Sequence, residues 1–253
     1  MFTISCNNID KVVWKNADTC LFNNLQCASV WQIRISNFVP AIHHFVSLLS
    51  PDEIENANHF NFEKDKNSYI IRWGILRLLL SEYLHQNAAT IAFGKGKNKK
   101  PFVLQNEKTV DVYFNISHSD DCVLIAFANS EIGIDAEKID RTFNYRDMLP
   151  VLFSPKETNA INISADAAIY FYKFFTRKES LLKATANGIG NYIINIPVLD
   201  GDHSMPENNE VDIKSNWQLS SFKLEDNYTA SIAYAADIEN IEFYRANETL
   251  IPE

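Results

Sequence analysis

Ser50-Pro51-Asp52-Glu53 and, much further along the chain, Ser154-Pro155-Lys156-Glu157 each follow an apolar run, and each reads as a helix start. Ser can accept a hydrogen bond from a free amide of the first turn. Pro suits the first helical position because it has no N–H to waste there, and Glu three residues after the Ser can reach back to close a capping box. Each box leads after a short interval into a long amphipathic stretch, and the spacing predicts helices near Asp65 to Gln86 and near Asp166 to Asn187. One such box arises easily by chance. Two, each followed by a long helix, predict a duplicated unit.

Between those helices the pattern predicts strands at Ile91 to Phe93, Phe102 to Leu104, Val112 to Ile116, Val123 to Ala128 and Ile132 to Ala136, the last two forming a hairpin across Asn129-Ser130-Glu131. After the second helix it predicts strands at Tyr192 to Ile196, Trp217 to Leu224, Tyr228 to Ala235 and Ile241 to Arg245, with a turn at Glu225-Asp226-Asn227. Asp200 to Asn216 is polar and aperiodic and reads as an exposed loop. Helices and short strands mix within each half, so the class is α+β.

The composition of the 253-residue chain, 46% hydrophobic and 22% charged, is that of a globular protein able to bury a core. A net charge of −9 argues against nucleic acid as a partner, since a phosphate backbone demands a basic face. Cys6, Cys20, Cys27 and Cys122 form neither a C-x-x-C pair nor a zinc pattern with His, which points to a reducing, cytoplasmic setting. The N-terminus lacks a basic and apolar secretion signal, and Arg77 interrupts the most apolar helix, so no membrane association is expected.

Asp135 and Glu137 sit two apart at the end of a strand, so both carboxylates point the same way. They are either a solvent-facing acidic strand end or part of a site for a hard cation such as Mg²⁺. Glu179 and Lys183 share a helix face at i and i+4, either as a surface ion pair or as a third carboxylate beside a phosphate-neutralising ammonium. Lys95, Lys97, Lys99 and Lys100 crowd one loop of an acidic protein, as a solvated turn or an anion-binding patch. In Asn115-Ile116-Ser117-His118-Ser119, two hydroxyls flank an imidazole, a chemistry suited to phosphate oxygens. Neither a G-x-S-x-G elbow nor a Walker or Rossmann glycine pattern competes with it.

Taken in order, Lys100-Pro101, Phe114-Asn115-Ile116-Ser117-His118-Ser119, Gly133-Ile134-Asp135-Ala136-Glu137 and Lys178-Glu179-Ser180-Leu181-Leu182-Lys183 resemble the 4′-phosphopantetheinyl transferases. The likeness extends upstream through Leu49-Ser50-Pro51, Phe62, Asp65-Lys66 and Leu76-Arg77, and the length and two-half layout resemble the monomeric type that serves nonribosomal peptide and polyketide synthases. The resemblance implies a pseudo-twofold pair of α+β halves, taken here as 1–128 and 129–253, with coenzyme A in the cleft between them. It implies that Asp135, Glu137 and Glu179 bind Mg²⁺, that Ser117, His118 and Lys183 touch the coenzyme A phosphates, and that Lys100 and Pro101 border the adenine and ribose. His118 would lie nearest the 3′-phosphate.

The implied reaction is attack by a carrier-protein serine on the β-phosphate of coenzyme A, with 3′,5′-ADP leaving and Glu179 taking the serine proton. Departures from the family pattern are Lys99 in place of the glycine before Lys-Pro, Phe175 in place of a tryptophan, and Ala136 between the metal ligands. Where the family carries basic residues for the 3′-phosphate, the first helix offers Glu53, Asn56, Asn67 and Ser68, which leaves Lys66, Lys64 or Arg72 for that contact. Another Mg²⁺-dependent phosphoryl enzyme, or a coenzyme A-binding protein without activity, is the competing expectation.

Overall fold

The computed structural model describes the chain except residues 21, 23–26, 106–107, 110–111, 212, 226 and 252–253. Strands β1 (Phe2–Ile9), β2 (Trp14–Asn16) and β3 (Ala28–Arg34) lead into helices α1 (Ile35–Phe38), α2 (Ile42–Leu48), α3 (Pro51–Asn58) and the long α4 (Glu63–Leu84). Strands β4 (Ala92–Lys95), β5 (Pro101–Gln105), β6 (Lys108–Thr109), β7 (Tyr113–Ser119), β8 (Cys122–Ala128) and β9 (Ile132–Lys138) follow. The chain continues through α5 (Leu149–Leu152), α6 (Pro155–Ile163) and α7 (Ala167–Ala184), then β10 (Gly201–Met205), β11 (Trp217–Leu224), β12 (Tyr228–Ala235) and β13 (Ile241–Arg245). The fold is α+β, as expected. Among the described residues no helix is long and apolar enough to cross a membrane.

Both capping boxes form. Ser50 Oγ accepts the Glu53 N–H at 3.3 Å while Glu53 Oε2 accepts the Ser50 N–H at 2.8 Å; the distances at Ser154 and Glu157 are 3.4 and 2.9 Å. The repeat also goes deeper than the caps. Glu53 pairs bidentately with Arg77 of α4 at 2.9 and 3.0 Å, and Arg77 donates onward to the carbonyls of Ala88 and Ile91. Glu157 pairs with Lys178 of α7 at 3.2 Å, and Lys178 donates to the carbonyls of Ile193 and Ile196. In each half, one buried glutamate caps the short helix and neutralises a buried cation of the long one, and that cation ties down the 3₁₀ turn that follows.

Two five-stranded sheets run in the orders β10-β1-β11-β12-β9 and β2-β13-β3-β8-β7, beside a small sheet β4-β5-β6. They form the two inner layers of a four-layer stack. Helix α4 covers Trp31, Ile33, Val123, Ile125 and Phe127, and α7 covers Ile4, Cys6, Trp217, Leu219 and Ala233. Between the sheets lies a third core that includes Val30, Leu124, Ala126, Ile134, Ala230 and Ile232. Strand β8 contributes alternate residues to two cores, which is why its sequence is an unbroken apolar run. Strands β1 and β13 cross the 128/129 division: β1 runs parallel to β11 in the sheet that holds β9 and β12, and β13 parallel to β3 in the sheet that holds β7 and β8.

Three expectations are corrected. β8 and β9 do not form a hairpin, because β8 fills both its edges with β3 and β7, and β9 pairs with β12. Tyr192 to Ile196 is not a strand but part of a 3₁₀ turn at Asn191–Asn195; its buried residues, Ile193 and Ile196, recur at three rather than two, and both their carbonyls face Lys178. The stretch from Asp200 to Asn216 is not simply an exposed loop. It carries β10, which pairs with β1, and it buries Met205, Val211 and Ile213, while Asp212 and Asp226 lie outside the described residues.

Gly133 sets how closely β9 approaches α7. A Cβ there would lie 2.0 Å from the Ser180 carbonyl oxygen and 2.4 Å from the Ala184 nitrogen, both backbone atoms that cannot rotate away. Gly133→Ala is therefore expected to cost about 1–3 kcal/mol by overpacking. Urea unfolding would measure this, and an unchanged midpoint would refute so close a contact.

Candidate active site

β7 and β9 are the facing edges of the two sheets, and side chains rather than a backbone ladder join them. Asn115, Ser117 and Ser119 alternate along β7, and their side-chain oxygens accept the N–H groups of Ile134 (2.9 Å), Ala136 (3.2 Å) and Lys138 (3.0 Å). Each serine donates its own proton to a carboxylate: Ser117 to Asp135 Oδ1 at 2.9 Å and Ser119 to Glu137 Oε2 at 3.0 Å. The period-two spacing of these three residues was visible in the sequence, but their partners on another strand were not.

Helix α7 brings in the rest of the set. Lys183 Nζ lies 2.7 Å from Asp135 Oδ1 and 2.9 Å from Ser117 Oγ. Glu179, one turn earlier, feels the charges of both Asp135 and Glu137. Burial, then the neighbouring Asp135 charge, pushes Glu137 and Glu179 up to about 7 each. Among the described residues, Asp135 Oδ2 and Glu179 Oε1 are buried without a hydrogen-bond partner, an expensive condition for a carboxylate oxygen.

Among the described residues, no three acidic, histidine or cysteine side chains already form a closed chelate. A ready-made cage is not what Mg²⁺ requires: it binds through one or two carboxylates and fills its octahedron with water and substrate phosphate. Three mutually repelling carboxylates with two unpartnered buried oxygens fit such a cation.

On the first-half side, His118 is exposed, yet crowding around its ring and the charges of Arg72 and Lys183 lower its pKa, so the imidazole is neutral at pH 7. Arg72 donates through Nε to the Ser68 carbonyl at 3.1 Å and lies 6.0 Å from the Tyr69 ring, and burial lowers its pKa to about 10. Ser68 Oγ is buried with no partner. Lys66 instead reaches Asn58 at 2.7 Å, and Lys64 pairs with Asp120 at 2.6 Å.

Pro101 stands between two clefts. One of 390 Å³ is lined by Asn56, Tyr69, Trp73, Lys95 and Lys99; the other, of 350 Å³, by Phe102, Tyr113, Phe114, Glu131 and Thr185. A larger hollow of 630 Å³ around Lys11, Lys15 and Tyr234 includes none of the carboxylates. Lys100 is half-buried and lines the 350 Å³ cleft beside Pro101. It donates to the carbonyls of Ala184 (2.8 Å) and Ile132 (3.2 Å), and burial lowers its pKa to about 8.

The sequence matches two family descriptions end to end, "4′-phosphopantetheinyl transferase, N-terminal" over residues 31–130 and "4′-phosphopantetheinyl transferase superfamily" over residues 131–233. The chain belongs to the 4′-phosphopantetheinyl transferase superfamily. Members of this superfamily transfer the phosphopantetheine arm of coenzyme A to carrier proteins. The transferase is 26% identical over 209 residues to 4′-phosphopantetheinyl transferase HetI of Nostoc sp., covering 81% of this chain and 86% of that one. It is 27% identical over 153 residues to 4′-phosphopantetheinyl transferase Sfp of Bacillus subtilis, covering 57% and 63%. To 4′-phosphopantetheinyl transferase gsp of Aneurinibacillus migulanus it is 30% identical over 163 residues, covering 55% and 64%.

Proposed function

We propose that this transferase moves the 4′-phosphopantetheine arm of coenzyme A onto a serine of an acyl or peptidyl carrier protein in a Mg²⁺-dependent reaction, releasing 3′,5′-ADP. The observation that carries this reading is the convergence of Asp135, Glu137 and Glu179 beside Lys183, with two carboxylate oxygens buried and unpartnered. Asp135, Glu137 and Glu179 would hold Mg²⁺. Bound there, the cation supplies charge neutralisation on the diphosphate and on the phosphate that leaves. Lys183 neutralises the same phosphate group from the helix side. Glu179 would accept the serine proton through its carboxylate.

The nucleotide end divides among first-half residues. Pro101, Tyr69 and Trp73 offer walls for adenine in the 390 Å³ cleft, with Lys95 and Lys99 beside it. Neutral His118 lies within reach of the Arg72 charge, and we place the 3′-phosphate between them, with Ser68 Oγ as a further donor. Ser117 and Ser119 face the carboxylates and orient them. The nucleophile comes from the partner, so the chain needs no internal catalytic serine or cysteine. Incubation with coenzyme A, Mg²⁺ and an apo carrier domain is expected to add one phosphopantetheine mass to the carrier; no mass gain on any of several carriers would overturn the reading.

Proton competition gives a second check. Below pH 7, Glu137 and Glu179 are protonated in the metal-free protein, and a cation must displace those protons. Mg²⁺ affinity is expected to rise roughly tenfold or more between pH 6 and 7.5 and then flatten, with proton release on binding. Calorimetry in buffers of different ionisation enthalpy would record it. An affinity flat across that range would mean that both carboxylates are already ionised.

A further inference from the structure

Part of the lysine-rich loop between β4 and β5 grips the end of α7. Asn98 Nδ2 donates to the Ala186 carbonyl at 2.8 Å, Lys97 Nζ to Asn187 Oδ1 at 2.7 Å, and Lys100 Nζ to the Ala184 carbonyl at 2.8 Å. These contacts join a first-half loop to the C-terminus of a second-half helix, where carbonyls carry partial negative charge and attract cations. The helix end itself is tightly turned: Ala186 takes a left-handed conformation (φ 52°), and the Asn187 N–H folds back onto the Leu182 carbonyl at 2.8 Å. A non-glycine residue persists there only when its surroundings hold it.

Lys100 does more than cap. Its second acceptor, at 3.2 Å, is the carbonyl of Ile132, the first residue of β9. One ammonium therefore joins the helix that carries Glu179 and Lys183 to the strand that carries Asp135 and Glu137. It does so next to Gly133, where the two elements touch backbone to backbone. A half-buried ammonium held by two carbonyls, with the Glu131 charge nearby, is costly compared with an exposed one, and a surface lysine in this loop would avoid that cost.

We infer that Lys100 is a positioning residue, whose ammonium pins the start of β9 to the end of α7 and so fixes the spacing of the three carboxylates. The inference rests on the metal-site reading above. It assigns Lys100 a task other than contact with the nucleotide, which is left to Pro101 and the adjoining cleft. Lys100 touches neither the carboxylates nor the phosphates in this role and acts through the two backbones it joins.

Lys100→Met keeps the length of the side chain and removes its charge. Three quantities would be read on the purified full chain: Mn²⁺ affinity by electron paramagnetic resonance, coenzyme A affinity in EDTA, and amide exchange at Ala184 to Asn187. Mn²⁺ affinity and kcat are expected to fall at least tenfold and exchange at the helix end to accelerate, while metal-free coenzyme A affinity changes less than threefold. If coenzyme A affinity falls tenfold with Mn²⁺ affinity unchanged, Lys100 is a ligand contact and the inference is wrong. Unchanged values throughout would also overturn it. Lys100→Gln, which keeps a donor, is the milder variant if Lys100→Met melts near assay temperature. A wild-type protein that binds no Mn²⁺ would instead sink the metal-site reading itself.

Discussion

Glu179→Gln is expected to lower transfer roughly 10³-fold or more while leaving the protein folded, because on the proposed reading it removes both a metal ligand and the proton acceptor. The same substitution should make the metal-free protein more stable. Burial and the Asp135 charge raise the folded-state pKa of Glu179 to about 7 from 4.5, so between those values the native state holds a proton that the unfolded chain has lost. That group therefore costs stability progressively as pH rises from 4.5 to 7, and the cost is complete above 7. Glutamine carries no such charge, so Glu179→Gln should gain about 1–2 kcal/mol at pH 8 in EDTA. Mg²⁺ with coenzyme A should stabilise the wild type and not the variant. Thermal melts with and without metal, beside the carrier-loading assay, provide the readout. A variant that loads carrier at the wild-type rate would disprove both roles given to Glu179.

The second large effect is structural. Glu157→Ala removes the carboxylate that caps α6 and pairs with Lys178, leaving an ammonium with a fully buried side chain and only the carbonyls of Ile193 and Ile196. Breaking such a pair from one side is expected to cost about 3–5 kcal/mol. For a chain of this size that lowers the melting temperature by on the order of 10 °C. Glu53→Ala should do the same in the first half by stranding Arg77. The double variant Glu157→Ala/Lys178→Met, which removes both charges, should recover much of the loss. If it is no more stable than Glu157→Ala alone, the cost lies in the cap and in the buried Val198 N–H that Glu157 Oε1 accepts, rather than in the stranded charge.

Local patterns carried much of this fold. Trp217 to Leu224, Tyr228 to Ala235 and Ile241 to Arg245 are strands with the bounds the sequence suggests, and the long helices begin within two residues of the expected starts, because alternation and capping are short-range properties. Failures came where a partner far along the chain decides. Polar β10 is a strand because β1 offers it an edge, and β9 turns away from β8 because β8 has no edge left. The site divides in the same way. Asp135 and Glu137 share a face by periodicity, and Glu179 and Lys183 by helical spacing, so both pairs were legible. The aim of Ser117 and Ser119 at those carboxylates, and of Lys100 at two backbone carbonyls, depends on contacts between halves that no local pattern displays.

The crossing of β1 and β13 bears on how the molecule comes to exist. β1 is made long before its neighbour β11, and β13 long after its neighbour β3. The sheet of β3 stays incomplete until β13 is made, and β1 stays unpaired until β10 and β11 are made, so these long-range pairings form late, where loop-closure entropy is greatest and unpaired edges are exposed longest. An apparent duplication of two small units is in this respect a single cooperative unit, sealed by strands that cross between its halves.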